Sequence, residues 1–188
     1  MSPDLAGTNQ EPRMSFARDH RPDPDAGFME RYEAGALGVL HWEQLDALWA
    51  TLRAGARDGE WYVYAVGETV PEEPVSAAEL DRFLGEVDAL LRADHDESYC
   101  GIVYVDDREK PRFVKIFDPN NLGSSCGSSG LRVLPGWILS TVPPEDLQAA
   151  MPPPNSRRRW WQRLFPRAGA DQEGAGRPAL ARAKSGTR

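Results

Sequence analysis

A cysteine, Cys126, sits at the centre of the nineteen-residue segment Asp118–Gly136, DPNNLGSSCGSSGLRVLPG, with glycines and serines on both sides of it. Glycines open backbone conformations closed to other residues, so several amides and hydroxyls can converge on one anion. That anion is either the thiolate of Cys126 or a bound phosphate or carboxylate. The candidate partner- or ligand-binding residues are therefore Asp118, Asn120, Asn121, Gly123, Ser124, Ser125, Cys126, Gly127, Ser128 and Ser129. Compact domains rarely keep so long a stretch without regular structure unless it binds something or is unfolded. The plainer reading is a connector in which the cysteine has no role. The segment lacks the Gly-Lys-Ser/Thr ending of a P-loop and no helix is expected after it, which argues against ATP or GTP.

Cys100 opens an apolar strand-like run, where a cysteine most often serves as a small buried hydrophobe. A reversible Cys100–Cys126 pair is the redox alternative, if the loop folds back over the sheet end that holds Cys100. Spacing alone cannot establish that geometry, and there is no CxxC motif. Asp94, His95, Asp96 and Glu97 fall where a helix should end, although the helix macrodipole there favours cations. They read as a solvated acidic surface or a partner surface. Neither His20 nor His41 is placed to complete a four-ligand zinc site with His95 and the cysteines, so no metal and no cofactor is expected. No Ser, His, Asp series has the context of a nucleophile elbow, and Asp106 and Asp107 read as turn residues. No catalytic residue is assigned and the chain reads as a non-enzyme.

A third group lies near the C-terminus. Arg157, Arg158, Arg159 and Arg163 surround Trp160 and Trp161 in NSRRRWWQRLF. Arginine beside tryptophan suits an acidic protein surface or an anionic membrane, and could also stack on single-stranded nucleic acid. The competing reading is docking on the chain's own acidic body.

The elements that must position these groups follow from periodicity. Trp42, Leu45, Leu48, Trp49 and Leu52 lie on one helical face within 39–57. Ser76 and Glu79 form a capping box, with Val75 and Leu80 as a hydrophobic staple, at the start of a second helix running to about Ala93. Strands are expected over 61–66, 100–105, 112–117 and 137–142, the middle two as a hairpin across Asp106–Pro111, with a short helix near 145–150. The predicted fold is α+β, two helices packed on one face of a four-stranded, mainly antiparallel sheet. Some of Tyr62, Tyr64, Tyr104, Phe113 and Phe117 should then face away from the helices. They form a protein contact unless the N-terminal arm, the loop or a dimer mate covers them.

Residues 1–35 read as a disordered arm, 36–150 as one domain and 151–188 as a disordered basic tail. The first 30 residues hold four prolines and no apolar periodicity. The net charge of −7 is unevenly spread. From Arg157 onward nine Lys/Arg stand against two Asp/Glu, +7, which leaves 13 against 27, −14, for the rest. So acidic a body does not grip phosphate backbones, and no specific nucleic acid is expected. The absence of a signal-peptide pattern or a bilayer-length apolar run, with only two cysteines, reads as a soluble cytoplasmic protein.

The run YCGIVYVDD at Tyr99–Asp107, continued by FVKIFDPNNLGSSCGSSG and LPGWILS, resembles the motif set of a small uncharacterised proteobacterial family associated with nitrogen-fixing and other autotrophic bacteria. The resemblance covers about residues 40–145. It implies an accessory role near nitrogenase or hydrogenase metabolism and no catalytic residue. The expected function is thus a non-catalytic accessory domain that binds another protein, with the tail adding a weak electrostatic contact. The alternatives are a thiol-based sensor or enzyme using Cys126, and anion binding by the loop.

Overall fold

The computed structural model describes residues 22–122, 133–148 and 153–166, with Asn121 and Leu122 described as backbone alone. Two helices carry most of the apolar periodicity, α2 (Trp42–Gly55) and α3 (Ala77–Asp94). Their stripes, Leu45, Leu48, Trp49 and Leu52 on one and Leu80, Phe83, Leu84, Val87, Leu90 and Leu91 on the other, are buried in a shared core. The α3 capping box forms as its residues demand. Ser76 Oγ accepts the Glu79 N–H at 3.2 Å while Glu79 Oε2 accepts the Ser76 N–H at 2.9 Å. Trp49 Nε1 donates to Asp88 at 3.0 Å, and Arg92 bridges Asp88 and Asp46, so the two helices are joined by polar contacts as well as packing.

Beneath them lies one antiparallel sheet in the order β1-β3-β4-β5-β2, from β1 (Leu37–Val39), β2 (Tyr62–Ala65), β3 (Val103–Val105), β4 (Phe113–Ile116) and β5 (Trp137–Ser140). The register sets Val63, Leu139, Val114, Val105 and Leu37 in one row across it and Tyr64, Ile138, Lys115, Tyr104 and Gly38 in the next. With side chains alternating between faces, the first row turns towards α2 and α3 and the second away from them.

The α+β class and the antiparallel hairpins agree with the reading of the sequence, but the sheet has five strands rather than four. The fifth, β1, is three residues long with glycine at its centre, so it carries little local strand signal and forms through its long-range pairing with β3. The expected arm contains α1 (Phe28–Glu33), which packs on the sheet face opposite α2 and α3. Six residues are too few for a helix to hold by itself. Here Phe28 and Tyr32 bury themselves against Tyr64, Phe113 and Ile138, while Arg31 Nε and Nη2 donate to the Ala26 and Pro24 carbonyls at 2.9 and 2.7 Å. Residues 145–148 are not helical. Asp146 instead accepts the Gln148 N–H at 3.0 Å in a local turn. The expected basic tail contains α5 (Asn155–Leu164), and a short turn of helix, α4 (Pro119–Leu122), follows β4.

Candidate functional site

Antiparallel pairing brings one end of each of the five strands together at one end of the sheet, with Val66 N donating to Gly136 O at 3.0 Å beside β2. Phe117 N donates to Ile102 O at 2.9 Å, Gly136 N to Ile116 O at 2.9 Å and Cys100 N to Leu40 O at 3.0 Å. Both ends of the Gly/Ser segment therefore leave from the sheet end that holds Cys100, the side on which a loop could fold back over it. Gly123, Ser124, Ser125, Cys126, Gly127, Ser128 and Ser129 lie outside the described residues, as does the Cys100–Cys126 pairing. Cys100 itself is buried, and burial pushes its thiol pKa up, which weakens it as a nucleophile.

The described base of the loop is built around Asp118. Its carboxylate accepts the Asn120 N–H at 3.0 Å, and the chain approaches closely at Gly136, where a Cβ would stand 3.2 Å from Asp118 Cβ, tighter than an ordinary contact. Asp118 is only 3% exposed, and a buried carboxylate demands a partner. Arg157 on α5 supplies it, with Nε 2.7 Å from Oδ2 and Nη2 3.0 Å from Oδ1, a bidentate pair. The same Nη2 lies 2.5 Å from Asp94, and Asn120 Nδ2 reaches that carboxylate at 3.5 Å. Asp94 is the last residue of α3, where the helix's own Arg92 is engaged by Asp88 and Asp46, and α5 delivers a second cation to that helix end.

The tail residues thus divide, and the expectation of a free basic tail is corrected for this stretch. Arg157 is committed to Asp118 and Asp94, and Arg158 to Glu68 at 3.0 Å. Trp160 is buried, its ring 5.3 Å from that of Trp137 and 6.3 Å from that of Phe83; Trp161 and Phe165 also pack on Phe83. The Leu164 carbonyl accepts from Arg82. The acidic surface that this segment meets is the chain's own. Arg159 and Arg163 remain on the outer side of α5, where with Ser156, Trp160 and Gln162 they line an open cleft of about 610 Å³. Among the described residues no three or more His, Cys, Asp and Glu side chains gather as a metal site would require. No described helix is long and apolar enough to cross a membrane.

The aromatics expected on the outer sheet face have two fates. Tyr64 and Phe113 are buried beneath α1, and Tyr62 is half-buried. Tyr104, by contrast, packs edge-on against Phe117 at 5.6 Å and stays 36% exposed. Leu40 stands near it beside Gly38, Leu37 lies on the same edge in the row facing the helices, and Tyr99 lies in the turn before β3; they are 56%, 49% and 50% exposed. These four are the exposed large hydrophobics among the described residues, and all belong to β1, β3 or the turns that flank them. Tyr99 is held there by His95, whose ring stands perpendicular to it at 5.9 Å and packs on Trp42 from the other side. Positive φ at Gly101, with the Tyr99 ring 3.1 Å from where a Cβ would be, makes glycine necessary in that turn. Leu37, Gly38 and Leu40 escaped the reading of the sequence because LGVL runs directly into α2 and looks like its lead-in. Its run of apolar residues before the His41 cap was the signal available.

No protein-family model, curated protein or solved structure matches the chain.

Proposed function

We propose that this protein is a non-catalytic cytoplasmic accessory domain that works by binding another protein along the edge formed by β1 and the turn into β3, beside the base of the Gly/Ser segment. The observation that carries this reading is the gathering of Leu37, Leu40, Tyr99 and Tyr104 on one edge while the other large apolar side chains of the described residues are covered. Clustered exposed apolar groups rimmed by polar residues are how soluble proteins mark a contact. The resemblance over residues 40–145 supports nitrogenase or hydrogenase metabolism as its setting. The buried Cys100, with its pKa raised, gives the thiol-pair alternative no support.

Native mass spectrometry of the protein purified gently from its host tests the reading. A stoichiometric protein partner is expected with the wild type and is expected to be absent from Leu37→Asp/Leu40→Asp, whose circular dichroism should be unchanged. A partner retained by the double variant, or a wild type that carries no protein at all, would defeat the proposal.

A further inference from the structure

The way β1 presents its backbone identifies the kind of partner segment that would fit. The Val39 carbonyl accepts the Gly101 N–H at 2.8 Å, so it points towards β3. Successive carbonyls of a strand point to opposite sides, which turns the Gly38 carbonyl outward to the free edge of the sheet. There it accepts a hydrogen bond from Arg108 Nη2 at 2.6 Å. The guanidinium occupies the place that the N–H of a neighbouring strand would take. Arg108 makes no ion pair among the described residues, so this edge carries a cation held by a backbone carbonyl alone.

We infer, resting on the protein-binding reading above, that the edge of β1 takes an extended segment of a different protein by strand addition, and that this segment carries an acidic residue which receives Arg108 when it swings off Gly38. The side chains fit that role. A Cβ at Gly38 would lie 3.5 Å from the Tyr104 ring and 3.7 Å from Leu40, so both stand next to the strand's bare centre on the outer face, while Leu37 belongs to the row facing the helices. An incoming strand with apolar residues at alternating positions covers these groups while its backbone completes the edge. A second copy fits less well. Pairing β1 with itself about a two-fold axis sets the two Gly38 edges against each other and brings both Arg108 guanidiniums to the same place, with like charges opposed.

The test selects a phage-displayed library of short linear peptides on the full chain and measures the best selected peptide, made synthetically, against variants. Gly38→Pro is the decisive variant, since the N–H it removes faces outward and the ladder to β3 loses no bond. Selected sequences are expected to alternate apolar residues with one Asp or Glu. Binding should fall about tenfold or more in Gly38→Pro. It should fall severalfold in Arg108→Gln, a loss that shrinks as salt rises. Leu40→Glu replaces Gly38→Pro if the proline variant melts early. Peptides without a carboxylate, or peptides that bind both edge variants as they bind the wild type, overturn the inference. So does a concentration-dependent dimer abolished by Gly38→Pro, which would make a second copy the occupant. If no peptide is enriched but the native partner is still lost from Leu37→Asp/Leu40→Asp, strand addition fails and the protein-binding reading stands. Loss of both signals removes both.

Discussion

The outer face of the sheet is divided at Lys115. On the side of β2, β5 and β4, Tyr64, Ile138 and Phe113 lie under α1 and are fully buried or nearly so, whereas on the side of β3 and β1, Tyr104 and Leu40 meet solvent. Both halves use the same alternation and similar residue types. They differ in what fastens a cover over them. Lys115 Nζ donates to the Tyr32 carbonyl at 2.5 Å and lies 4.9 Å from the centre of the Tyr32 ring, and Arg31 reaches towards Asp106 at 3.9 Å. These contacts pin α1 over one half and leave the other bare. A strand's pattern decides which side chains share a face; long-range fasteners decide whether that face is part of the core or part of the surface.

The sharpest way to break this comparison is to remove the cover's anchor. Phe28 is 2% exposed and its ring packs at a tilt 5.3 Å from that of Phe113, so Phe28→Ala is expected to cost about 3–5 kcal/mol in urea unfolding, as large aromatic deletions in cores do. Leu40→Ala on the bare half, at a side chain 56% exposed, should change stability by no more than about 0.5 kcal/mol. Equal effects at the two positions would mean that α1 is not part of the folded core and that the two halves do not differ.

A smaller effect is expected at the second cover, α5, which closes over Phe83 and Trp137 as α1 closes over Phe113. Arg157→Ala leaves Asp118 buried without its cation, and breaking such a pair costs about 3 kcal/mol when, as here, one partner keeps some exposure. Trp160 fluorescence should shift to the red if α5 lifts away. A fully stable variant with unchanged emission would show that the apolar contacts of Trp160 and Leu164 hold α5 without Arg157.

Legibility in the sequence follows the range of the interactions. The stripes of α2 and α3, the Ser76 cap and the four expected strands are local patterns, and their boundaries lie within about three residues of the expectation, within the error of such readings. α1 and β1 are short, and each owes its form to partners distant in the chain. The arginine and tryptophan residues of 155–164 were visible as a contact surface. Its target, Asp94, Asp118 and Glu68, could be identified only by knowing that β4 ends beside α3. The acids at 94–97 look misplaced for the same reason, since the cation that pairs with Asp94 comes from 63 residues away. The exposed edge was half legible. Tyr104 was recognised as outward-facing, while Leu37 and Leu40 depend on a strand that only its partner reveals.

The finest distinction between the two halves lies in pH. Tyr64 sits beneath α1, and burial, the largest cause, pushes its phenol pKa upward, with the Asp146 carboxylate acting in the same direction. The folded protein therefore holds the Tyr64 proton more tightly than the unfolded chain does. The resulting stability is fully present below the unfolded value of about 10 and is lost as pH rises from there through the folded value. Tyr64→Phe removes this titration while leaving every other ionisable group of the α1 contact in place. Its urea midpoint should decline less steeply than that of the wild type above pH 10, and the two should run parallel between pH 6 and 9. Parallel curves throughout would mean that the phenol loses its proton as easily under α1 as in the open chain, and hence that α1 yields to water at Tyr64 on the timescale of the titration. The cover over β2, β5 and β4 would then be a dynamic one, and the contrast with the bare half a difference of population rather than of structure.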